Sequence, residues 1–120
     1  MPARLRTAPA ADVEAALASS PRDKAASKLL VKHYLAVLAE RAPGASVEVR
    51  VPPYAAVQVI EGVRHTRGTP PAVVEMDAET WIAVATGDLA WHDAVHSGAV
   101  WASGERTDLS GLLPLSGDGP

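Results

Sequence analysis

Residues 72–87 read Ala72-Val73-Val74-Glu75-Met76-Asp77-Ala78-Glu79-Thr80-Trp81-Ile82-Ala83-Val84-Ala85-Thr86-Gly87, and this stretch decides the fold class. The short valine-rich run predicts a strand over 72–76. Asp77-Ala78-Glu79-Thr80 then carries an N-cap signal, because a short carboxylate can accept an otherwise orphaned N–H of the first helical turn. Trp81, Ile82, Val84 and Ala85 continue the helix, and Thr86-Gly87 closes it. A strand that passes straight into a capped helix, within a chain of 120 residues, points to a small mixed domain.

Downstream, a second short helix runs from Trp91 to Ser97 and ends at Gly98, where a left-handed cap suits glycine. Val100-Trp101-Ala102-Ser103 reads as another strand and Gly104-Glu105 as its turn. Asp108 starts a last helical turn through Leu109, Leu112 and Leu113. Residues 116–120 form a frayed tail.

Upstream, Ser46-Val47-Glu48-Val49-Arg50-Val51 alternates valine with polar residues, the period of a strand with one buried and one wet face. Pro52-Pro53 stops it. Tyr54 to Ile60 is more uniformly apolar, which predicts a second strand in a central position. Residues 63–71 are a polar, basic loop or hairpin. Ser20-Pro21-Arg22-Asp23 predicts the start of a long helix to Arg41, with Ser20 as N-cap. Ala26, Leu30, Tyr34, Val37 and Leu38 share one side of it, and Lys24, Lys28 and Lys32 recur on the other. Residues 1–19 read as a loosely ordered lead-in with a short helix from Asp12, carrying Val13, Ala16 and Leu17. The expectation is therefore one α+β domain over residues 20–115, an antiparallel sheet covered on one face by helices.

Composition narrows the function classes. The chain is 48% hydrophobic and 21% charged with a net charge of −3, enough apolar material for a core. Eight basic and five acidic residues give +3 over residues 1–50, against −6 over residues 51–120. No dense Lys/Arg run supplies the footprint of a nucleic-acid binder. Cysteine is absent, so disulfides, thiolate metal sites and thiol nucleophiles are excluded together. No stretch reaches the roughly 20 apolar residues of a membrane span, and no apolar core follows Arg4 and Arg6, so a cytoplasmic protein is expected.

Few residues suggest chemistry. His92 and His96 stand at i and i+4 with Asp93 between them, a spacing related to zinc-binding H-E-x-x-H helices. The acid is one methylene short, and a third ligand would have to come from His33, His65 or a distant carboxylate. Two exposed histidines on an amphipathic helix explain the pattern as well. Arg64, His65 and Arg67, with Thr66 and Thr69, suit a carboxylate, phosphate or lipid head group, and equally a solvated hairpin tip. The Lys24/Lys28/Lys32 stripe fits a solvent face, or at most a transient contact with an anionic membrane surface. There is no nucleotide fingerprint, no glycine-flanked serine elbow and no paired-carboxylate cleft, so neither a cofactor nor a catalytic set is expected. Trp81, Ile82, Leu89, Trp91, Trp101, Leu109, Leu112 and Leu113 form an apolar set that suits a core or the lining of a lipid pocket.

Val73 to Asp77, Trp81 to Leu89, Ala94 to Gly98, Val100 to Gly104 and Leu109 to Leu113, in that order and spacing, resemble the sterol carrier protein type 2 fold over about residues 46–115. Pro43 to Gln58, with His65 to Pro71, looks like a bacterial, actinobacterial-type branch of it. The resemblance implies about five antiparallel strands, helices on one face, and an apolar tunnel for sterols, fatty acyl chains or other lipids, without catalysis. The strand region is shorter and richer in proline than in that family, and residues 117–120 lack its peroxisomal signal. The pocket so implied lies between the sheet (Val57, Val59, Val74, Trp101) and the helices (Trp81, Leu89, Leu112, Leu113). An apolar small molecule or lipid is the expected partner, with the protein a monomer or weak homodimer. A cavity-less accessory or interaction module of the same fold is the alternative, and a metal-dependent hydrolase at His92 and His96 is a more distant one.

Overall fold

The computed structural model describes residues 5–62, 72–104 and 107–115. Helices α1 (Ala10–Ala18) and α2 (Lys24–Arg41) lead into strands β1 (Val47–Val51), β2 (Ala55–Val59) and β3 (Ala72–Met76). Helices α3 (Ala78–Thr86) and α4 (Trp91–His96), strand β4 (Val100–Ser103) and a 3₁₀ turn, Ser110–Leu112, complete the order.

Among the described residues the sheet has four strands in the order β2-β1-β3-β4. The expected count of about five, all antiparallel, is corrected on both points. β1 pairs with β2 and β3 with β4 antiparallel, but β1 and β3 run parallel. The register shows how: Val59 and Ala72 stand on either side of Val47, so the end of β2 and the beginning of β3 both flank the starting end of β1. Ser46 holds that end. Its N–H and its hydroxyl both donate to the Ile60 carbonyl, and its own carbonyl accepts the Ala72 N–H. β2 is consequently an edge strand rather than a central one. Its uniform apolarity came from small alanines, and Ala56 and Gln58 are in fact exposed.

Alternation in β1 is as expected, with Val47, Val49 and Val51 buried and Arg50 exposed. Val59, Val74 and Met76 are buried with them. α2 packs against α1, α3 and β2. Three neighbours widen its buried sector beyond the expected stripe: Val31 and Leu35 are wholly buried with Leu30 and Leu38, whereas Val37 and Ala26 are half-buried. The helix begins at Lys24, not Pro21, because Asp23 is the N-cap and accepts the Ala26 N–H at 2.8 Å. Asp77 caps α3 as predicted, accepting the Thr80 N–H, and Gly87 closes it with φ 90°. α1 rests on α2 with Val13 and Ala16 buried. The final helical turn expected from Asp108 is a single 3₁₀ turn, started by the Asp108 carboxylate accepting the Ser110 N–H at 3.0 Å. Among the described residues no helix is long and apolar enough to cross a membrane.

Candidate ligand site

The inner face of the sheet presents Ala55, Val57 and Val59 from β2, the three valines of β1, Ala72, Val74 and Met76 from β3, and Val100 from β4. Side chains two apart share a face, so these belong to one apolar surface. α2 and α3 cover it, and the residues form one hydrophobic cluster with Trp81, Leu30, Val31 and Leu35. Exposure along edge strand β2 is graded. Val59 is wholly buried, whereas Val57 and Ala55 are half-buried toward the β1–β2 turn.

Residues 107–115 run as a strap against α2 and α3. Leu109 and Leu115 are buried, and Leu112 and Leu113 half-buried. At its C-terminal end the Leu115 N–H donates to the Ala85 carbonyl at 2.7 Å, and the Arg41 guanidinium donates to the Leu115 carbonyl at 3.1 Å. At the other end the Leu112 N–H donates to the Leu109 carbonyl, the Ser110 N–H donates to the Asp108 carboxylate, and the Leu109 side chain is wholly buried. The Ser110 backbone N–H holds the Asp108 carboxyl below the ordinary carboxylate range.

Of the pocket residues expected from the sequence, Val59, Val74 and Trp81 meet in the cluster and are wholly buried. Val57, Leu89, Leu112 and Leu113 stand half-buried at its margin. Trp101 does not join them. It is 60% exposed on the opposite face of the sheet, across from Glu75, because Val100 takes the inward position and the next residue of a strand must point away. Arg64, His65 and Arg67 lie outside the described residues. The rings of His92 and His96 stack 5.9 Å apart on an exposed face. Among the described residues no three His, Cys, Asp or Glu side chains gather as metal ligands.

Two features of the surface escaped the sequence. His33 is half-buried on α2, and its Nδ1 accepts the Ala8 N–H at 2.9 Å, which ties the segment before α1 to α2. Burial holds its pKa below the usual histidine value, and the nearby charge of Glu40 opposes that shift. In addition, Lys24, Lys28 and Lys32 face Pro53 and Tyr54 across an open groove of about 560 Å³. The lysine spacing was visible in the sequence, whereas the aromatic wall opposite comes from a turn more than twenty residues away.

The family model described as "Bacterial SCP ortholog" matches residues 23–115. The chain belongs to this bacterial sterol carrier protein-like family. The match begins at the N-cap of α2 and ends at the anchored residue of the strap, so the sterol carrier-like unit takes in the whole sheet, α2 to α4 and the closing segment. Helix α1 and Ala8 precede the matched region, and the Ala8–His33 bond ties them to it. A search of the curated proteins found no match.

Proposed function

We propose that this sterol carrier-like chain binds an apolar ligand, a lipid, fatty acyl chain or sterol-like molecule, without catalysing a reaction on it. The ligand lies between the inner face of the sheet and helices α2 and α3, and displacement of Leu112 and Leu113 makes room for it. The observation that carries this, beside the family, is the continuous apolar inner face of the sheet, with Leu112 and Leu113 only half-buried against the cluster it belongs to.

A packed module without a cavity is the second reading. It is favoured by the complete burial of Val59, Val74 and Trp81, which leaves those side chains no solvent contact in the closed state. Native mass spectrometry of the purified protein, together with titration by a fluorescent fatty acid, decides between the two. Co-purified lipid and saturable binding are expected, and the absence of both favours the packed module. Leu112→Trp adds a second readout. An opening site accepts the ring and loses ligand, whereas a filled core loses about 1–3 kcal/mol by overpacking.

A further inference from the structure

The groove between the start of α2 and the β1–β2 turn is built in an unusual way. Lys24, Lys28 and Lys32 line one wall, with Ala25, and Pro53 and Tyr54 the other; among the described residues no acidic side chain lines it. Like charges four residues apart on a helix repel. Lys24 also sits at the first helical position, where the helix dipole disfavours a cation. Asp23 precedes it, but its carboxylate is engaged by the Ala26 N–H. Among the described residues no hydrogen bond or ion pair engages the ammonium group of any of the three. Three such groups against an aromatic wall suit an anion from outside the chain.

The groove also borders the apolar cluster, against which Tyr54, Ala55 and Val57 pack partly buried. Tyr54, in its wall, directly precedes Ala55, and inner-face exposure on β2 falls from the half-buried Ala55 and Val57 to the wholly buried Val59. A chain threaded along that gradient leaves its head in the groove. We propose that Lys24, Lys28 and Lys32, opposite Tyr54, hold the oxyanion head group, carboxylate or phosphate, of an amphipathic ligand whose apolar tail passes Ala55 and Val57 into the sheet–helix interior. This rests on the apolar-ligand function proposed above and adds to it a head-group charge and an end of the site.

Titration with cis-parinaric acid, with its uncharged methyl ester, and with a monoalkyl phosphate as competitor tests it, on the full chain at low salt. The acid should bind more tightly than the ester. The double variant Lys28→Gln/Lys32→Gln should weaken the acid about fivefold and leave the ester unchanged, the effect of removing two exposed ion pairs. Raising the salt to 0.3 M should, on the order of the screening length, weaken only the acid. Competition by the alkyl phosphate, stronger or weaker than by a fatty acid of the same length, assigns the head group. Equal affinity for acid and ester, or equal loss of both in the double variant, overturns the head-group site and leaves apolar binding standing. Binding of neither probe overturns both. Thermal melts of the double variant verify folding, and relief of like-charge repulsion should keep its midpoint at or above that of the parent.

Discussion

The indole Nε1–H of Trp81 donates to the main-chain carbonyl of Val31 over 3.3 Å, joining α3 to α2 inside the core. Val31 and Trp81 are both wholly buried, so the bond spares the indole the cost of an unpaired buried donor. Trp81→Phe keeps an aromatic ring and loses the bond, and should cost about 1–2 kcal/mol. Trp81→Ala also leaves a cavity and should cost about 3–5 kcal/mol. Urea unfolding midpoints measure both.

Protonation of His33 should loosen the contact between the N-terminal segment and α2. Its Nδ1 is an acceptor for Ala8, and a protonated imidazole cannot accept there. Glu40 acts on the ring through space, and Glu14 and Tyr34 share its groove. Because burial lowers the folded pKa, the unfolded chain takes up the proton more readily. The stabilisation is therefore complete above the unfolded value of about 6.5 and is lost as pH falls through the folded one. The lowered Asp108 value has the same sign but acts in the more acidic carboxylate range. The melting temperature should fall between pH 7.5 and pH 5, and His33→Asn, which offers an oxygen acceptor near the same place, should flatten that fall.

Gly44→Ala should be among the most damaging single-methyl additions. Gly44 has φ +147°, and a Cβ there would collide with the Ile60 carbonyl group and the Glu61 nitrogen. The same corner carries the Ile60 N–H to Ala42 carbonyl bond at 2.7 Å and the Ser46 pair. A loss of at least about 2 kcal/mol is expected, measured by denaturant midpoint.

Asp77→Ala removes the carboxylate that accepts the Thr80 N–H at 2.8 Å. About 1 kcal/mol of stability should go with it, and Asp77→Asn, which retains a capping oxygen, should lose much less. Thermal melts of the two variants side by side provide the comparison.

Trp101 should account for most of the iodide quenching of tryptophan fluorescence. It is 60% exposed, against 0% for Trp81 and 8% for Trp91. Trp101→Phe should therefore remove most of the quenching and shift the emission to the blue. Unchanged quenching would mean that the outer face of the sheet is covered in solution.

Much of the local structure was written in residues close together. Asp77 and Gly87 mark both ends of α3, and the strand over 72–76 matches the observed one. Alternation placed the inward valines of β1 correctly. Such signals act within a few residues, through orphaned N–H groups, the glycine cap and the two-residue period of a strand. The start of α2 was misplaced because Ser20 and Asp23 are both good caps, and the local sequence does not rank them. The pocket set divided in the same way. Val59, Val74 and Trp81 lie in elements that the sequence does predict and came together, while Trp101 needed the phase of β4, which a four-residue strand leaves open.

By itself the sequence determined an α+β domain, its capped helices and, through the order of its elements, a sterol carrier-like family. Only the tertiary structure decided that β2 lies at an edge, that β1 and β3 run parallel, that Trp101 faces away from the core, and that three lysines meet Tyr54 across a groove. The reason is range. A cap or an alternation is satisfied by neighbours along the chain, whereas strand partners and groove walls are chosen among residues tens of positions apart, by which arrangement buries the common apolar surface.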